Sequence, residues 1–94
     1  MVDGTLIPTM KYAHLTTGAT TLRTTGGVLH SITVNTPAAG SITVADAVSG
    51  TTPAIAIITP TSTLGTGTYL FDVGFNTGLT VTLGATMDVT VAYF

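Results

Sequence analysis

The chain has 94 residues, two basic and four acidic, and a formal net charge of −2. That length provides for one domain with one thin core, and two cations cannot neutralise a run of phosphates, which excludes nucleic acid and an anionic membrane as partners. With no cysteine, disulfides and thiolate metal sites are excluded as well.

The first 27 residues are turn-like. Weak strands are expected at Lys11–Leu15 and Thr20–Thr24, separated by Gly18. This region is expected to be an N-terminal arm or an added strand, ahead of a β-sandwich domain over residues 28–94. From residue 28 onward period-2 alternation dominates, the mark of half-buried strands. In Val28–Asn35, the residues Val28, Ile32 and Val34 share one face with His30, and Ser31, Thr33 and Asn35 take the other. Thr36–Gly40 is a turn, since Pro37 fixes φ and Gly40 is permissive. Ser41–Ala45 follows with Ile42 and Val44 inward, so the two runs predict a hairpin.

Asp46–Pro53 is a loop, in which Asp46 is expected to bond nearby backbone. Ala54–Ile58 is a short strand with Ile55 and Ile57 on one face, and Thr59–Gly67 is a second loop. Thr68–Phe75 is the clearest strand, with Tyr69, Phe71, Val73 and Phe75 on a common face. Asn76-Thr77-Gly78 has the form of a compact hairpin turn. Leu79, Val81 and Leu83 alternate with threonines, Gly84-Ala85 turns the chain, and Met87, Val89, Val91 and Tyr93 complete the pattern. No segment has a 3.6-residue period. The fold class is therefore all-β: an antiparallel β-sandwich (jelly-roll or Ig-like) or a small barrel of about 6–8 strands.

Threonine fills 23 positions, while charge is confined to Asp3, Lys11, Arg23, Asp46, Asp72 and Asp88. Threonine is β-branched and polar without charge, so its surface can be wetted or buried at little cost. Natural sheets blunt their edges with Lys, Pro or bulges. One Lys and four Pro are few for a whole sandwich, so an oligomer is expected to cover the edges. The N-terminus lacks a basic start followed by an apolar run, so no signal peptide is expected. No window approaches a membrane span, and a soluble chain made in the cytosol is expected.

Catalytic constellations are hard to assemble, and no enzymatic activity, cofactor or metal is expected. Asp72 and Asp88 lie opposite apolar strand positions and are expected to keep the sheet surface soluble. Ser31, His30 and Asp46 can be named as a triad, but no nucleophile elbow frames them. Gly65-Thr66-Gly67 lacks the Lys-Ser/Thr of a phosphate loop. His14 and His30 have two readings: a core or interface imidazole bonded to a carbonyl, or a symmetry-axis position where three copies meet around an ion or water. Of the six aromatics, only Tyr12 lies outside the expected core strands.

The runs Val28-Leu29-His30-Ser31-Ile32-Thr33-Val34-Asn35-Thr36-Pro37-Ala38-Ala39-Gly40-Ser41-Ile42-Thr43-Val44, Tyr69-Leu70-Phe71-Asp72-Val73-Gly74-Phe75-Asn76-Thr77-Gly78-Leu79-Thr80-Val81 and Met87-Asp88-Val89-Thr90-Val91-Ala92-Tyr93 resemble small structural proteins of tailed-bacteriophage virions. These are head decoration, cement or head-fibre components. The resemblance implies a compact β-domain, often a homotrimer, assembled in the host cytoplasm and bound to the major capsid protein on the capsid exterior. There it clamps neighbouring subunits against internal pressure. It carries over no catalytic residue. Residues 1–27 fall outside it, and an arm bearing Leu6, Ile7, Met10 and Tyr12 is the expected capsid contact. The alternative is a head- or tail-fibre adhesion module that recognises a host-surface glycan through Asp46–Pro53 or Thr59–Gly67.

Overall fold

Alternation of Val, Ile and Leu with Thr is realised as eight strands, with no helix among the described residues. The computed structural model describes residues 10–36, 38–59 and 67–94. The strands are β1 (Lys11–Leu15), β2 (Gly18–Arg23), β3 (Gly27–Thr36), β4 (Ile42–Ala45), β5 (Ala54–Ile58), β6 (Gly67–Phe75), β7 (Leu79–Leu83) and β8 (Asp88–Tyr93). They form two four-stranded sheets, ordered β1-β8-β3-β6 and β2-β7-β4-β5, and every pairing is antiparallel. This is the jelly-roll arrangement of a β-sandwich. Residues 11–23 supply one edge strand to each sheet: β1 pairs with β8, and β2 with β7. Gly18 turns the chain between them at φ 74°, a conformation other residues rarely adopt.

The two expected hairpins do not form. β3 and β4 lie in opposite sheets, and so do β6 and β7. Both turns carry the chain across the sandwich, and β4–β5 is the one pair of consecutive strands that are neighbours. Alternation specifies which face of a strand is buried and leaves its partner open, so a short turn between two alternating runs looks the same in either case.

The core lies between the sheets. Its fully buried members include Leu29, Ile32, Val34, Ile42, Val44, Leu79, Val81, Val89 and Val91. The burial phase at the start of β3 differs from expectation: Leu29 is fully buried and Val28 only half-buried. The ladder explains this. Leu29 and Ser31 pair with Tyr93 and Ala92 of β8, so His30 is an extra residue on β3. A bulge of this kind puts two successive side chains on one side. His30 and Ser31 therefore both face outward, and His30 leaves the core face to which alternation assigns it.

β5 also departs from expectation. Ile58 pairs with the buried Ile42 and is itself buried, whereas Ile57 pairs with Thr43 and is 64% exposed. The run Ala-Ile-Ala-Ile-Ile is apolar throughout, so it contains no polar residue to mark the outer face. Prediction: Leu29→Ala lowers unfolding free energy by about 2–5 kcal/mol, and Val28→Ala costs well under half as much. Urea denaturation of the two variants measures this, and the reverse order would contradict the bulge.

Candidate functional site

The loop after β4 is anchored by one carboxylate. Asp46 Oδ1 accepts the backbone N–H groups of Asn76 (3.0 Å), Thr77 (2.7 Å) and Gly78 (3.3 Å). Asp46 thus bonds the β6–β7 crossing some thirty residues away and not the adjacent backbone expected of it. Its own N–H closes the loop by donating to the Pro53 carbonyl at 2.9 Å. A Cβ at position 78 would lie 2.7 Å from the Arg23 carbonyl oxygen and 3.0 Å from that of Ala47, so glycine is required where these backbones converge. The loop then lies on the outer face of the β7-containing sheet. Thr80 Oγ1 donates to the Ala47 carbonyl at 2.8 Å, and Thr21 Oγ1 donates to that of Val48 at 2.9 Å.

The outer face of the other sheet is organised by side-chain hydrogen bonds. His14 on β1 donates through Nε2 to Asp88 on β8. His30 Nδ1 donates to Asp72 Oδ1 on β6 at 2.5 Å. Asn35 Nδ2 reaches both Asp88 Oδ1 and Thr90 Oγ1 at 3.2 Å, and the hydroxyls of Thr33 and Thr68 bond each other at 3.0 Å. Asp72 sits opposite the β3 bulge at φ 49°, a left-handed backbone that Asp tolerates better than most residues. Neither histidine bonds a carbonyl as a core residue would. Each is oriented by its own carboxylate, on strands separated by β8. Strand pairing brings partners together across 74 and 42 residues, separations from which no local spacing rule can find a pair. Among the described residues no group of three or more His, Asp or Glu converges as a metal site.

The two margins of the sandwich differ in kind. β1 and β2 share one margin, and a cleft there is lined by both cations of the chain, Lys11 and Arg23. β5 and β6 share the other. Between them runs an open groove of about 640 Å³, lined by Ala56–Thr59 of one strand side and Thr68–Phe71 of the other. Ile57 and Leu70 are 64% and 69% exposed here, with Tyr69 beside them. β5 carries no charge, Lys or Pro, and its outer N–H and C=O groups face away from β4. The irregularity of β6 spans Phe71 and Asp72 at one end of the groove, which leaves the stretch from Thr68 to Leu70 in regular register.

Of the residues expected to form a contact arm, Leu6 and Ile7 lie outside the described residues. Met10 is exposed immediately before β1, and Tyr12 projects from β1 at 76% exposure, paired with the small Ala92. The exposed apolar residues Ile57 and Leu70 were not legible as site residues, because alternation assigns Ile57 to the core. Comparison with known proteins finds no matching family model, no matching curated protein and no matching solved structure.

Hydrogen bonding holds two carboxyls below the ordinary value of 3.8. For Asp46 the causes are the Asn76 and then Thr77 N–H groups, and for Asp88 the bond from His14 and then that from Asn35, each partly opposed by desolvation. A lowered folded-state value contributes stability that is present above 3.8 and is lost as pH falls through the folded value beneath it. Prediction: Asp46→Ala has a lower urea midpoint than wild type at neutral pH, and the gap narrows as the pH is lowered below the ordinary carboxylate value of 3.8. A gap independent of pH would show that the carboxylate charge is not what holds the crossing.

Proposed function

We propose that the chain is a non-catalytic structural subunit of a tailed-bacteriophage particle, a decoration or cement protein that self-associates, as a homotrimer, on the outer face of the head and braces contacts between capsid subunits. The observation that carries this reading is the groove between β5 and β6. Two strand edges without a cation or proline stand beside exposed Ile57, Leu70 and Tyr69. Free backbone groups beside apolar side chains suit an extended, uncharged segment that adds as a strand and inserts alternate side chains. The occupant proposed is such a segment of the major capsid protein. A decoration protein is present in many copies, so a modest interface in each gives a large total stabilisation. The fold itself is neutral on this point, since jelly rolls serve many functions.

A second reading, a fibre adhesion module for a host-surface glycan, draws on Tyr12. Its exposed ring projects beside Ala92, one row from the hydrogen-bonded His14, Asp88, Asn35 and Thr90. A planar aromatic next to fixed amide and carboxylate groups can stack on a sugar and bond its hydroxyls. Glycan-array binding lost in Tyr12→Ala would favour it.

Prediction: light scattering gives a trimeric mass, and the protein co-sediments with purified capsids that lack it. The double variant Ile57→Lys/Leu70→Lys keeps the wild-type melting midpoint and binds capsids at least about tenfold more weakly, since two charges would have to be buried. A monomer that does not bind capsids would overturn the proposal.

A further inference from the structure

The margin formed by β1 and β2 contains an arrangement that the assembly reading does not use. On β1, Lys11, Ala13 and Leu15 pair with Tyr93, Val91 and Val89, all three buried, so Lys11 lies on the face turned toward the opposite sheet. On β2, Thr21 pairs with Thr80 and Arg23 with Leu79, which makes Leu22 an extra residue. Leu22 packs on the core, and the bulge places Arg23 on the same inward side. An unbroken strand would have turned Arg23 outward. Bulges re-aim side chains in this way at sheet edges and beside functional sites. The two cations thereby line one cleft of about 300 Å³, together with Thr21, Leu22, Thr24 and Thr25.

The guanidinium is held in place before any ligand arrives. Its Nη2 donates to Thr25 Oγ1 at 2.9 Å. A Cβ at position 27 would collide first with the Phe94 carbonyl oxygen, then lie 2.9 Å from the Phe75 ring and 3.1 Å from Arg23 Nε, so the guanidinium packs closely where glycine is already required. Arg23 Nε is buried and has no hydrogen-bond partner. Among the described residues the ion pairs are His14–Asp88 and His30–Asp72, and neither involves Lys11 or Arg23. A single inward lysine is enough to keep an edge from pairing with another chain. Bringing the second and last cation into the same cleft adds repulsion, which an anion between them relieves.

We propose that the Lys11–Arg23 cleft is a binding site for a small oxyanion, a phosphate or a carboxylate group. The planar guanidinium offers paired donors that match such an anion, and the Lys11 ammonium supplies a second charge. Neither the capsid reading nor its failure bears on this site, which lies on the opposite margin from the β5–β6 groove.

The test is an NMR titration of the isotope-labelled full chain at constant ionic strength, with inorganic phosphate in one arm, acetate in another and chloride as the reference. Saturable shifts at the Arg23 side chain and the amides of residues 21–25, with a dissociation constant on the order of 1 mM, are expected in at least one oxyanion arm. Saturation by phosphate alone assigns a phosphoryl ligand, and saturation by acetate assigns a carboxylate group. Lys11→Gln, at an exposed strand end, should weaken binding about tenfold without moving the melting midpoint. Arg23→Lys, which keeps the charge and loses the fork, should also weaken it. Shifts that match chloride, or saturation that neither variant alters, would overturn the proposal.

Discussion

Three backbone N–H groups of the β6–β7 crossing end on a single carboxylate, Asp46, and much of the topology depends on that contact. A crossing between sheets cannot use hairpin ladder bonds, so its donors need another acceptor. Asp46 supplies it from the end of β4, the strand that β7 must lie against. The same loop then covers Thr80 with the Ala47 carbonyl, while Gly78 clears the space in which three backbones meet. Burial of the apolar faces drives the sheets together. The Asp46 contact ties the crossing to the end of β4 when they do.

The strands were largely legible in the sequence, because β-branched residues alternating with threonine leave little else to form. β7 and β8 have the burial phase that alternation assigns, and so does the end of β6 from Phe71 to Phe75, whereas Tyr69, expected with them in the core, is exposed at the β5–β6 margin, where no strand covers it. What could not be read has specific causes. Partner choice is a tertiary property, so the short turns at 36–40 and 76–78 gave no sign of crossing between sheets. The bulges at His30 and Leu22 are single extra residues that alternation absorbs as a phase error. At His30 this exchanged a core histidine for a surface one bonded to Asp72. At Ile57 there was no polar neighbour to mark the outer face, and the groove was hidden for that reason.

The scarcity of charge, legible from the outset, acquires a spatial meaning in the fold. Lys11 and Arg23 converge on the β1–β2 margin, while Asp72 and Asp88 lie with both histidines on one sheet face. The β5–β6 margin receives no cation. With so few charged groups, placing both cations at one margin leaves the other without a cation to discourage strand addition.

The partner list of the jelly roll has a kinetic corollary. β1 and β2 hydrogen-bond with β8 and β7, the last two strands described. During synthesis the first two strands therefore wait, edges open, until β7 and β8 have emerged, whereas β4 and β5, and then β3 and β6, can pair earlier. Such non-local order folds slowly and passes through aggregation-prone species. With almost no charge to keep nascent copies apart, threonine's ability to remain hydrated while unpaired becomes the chain's main safeguard during that interval.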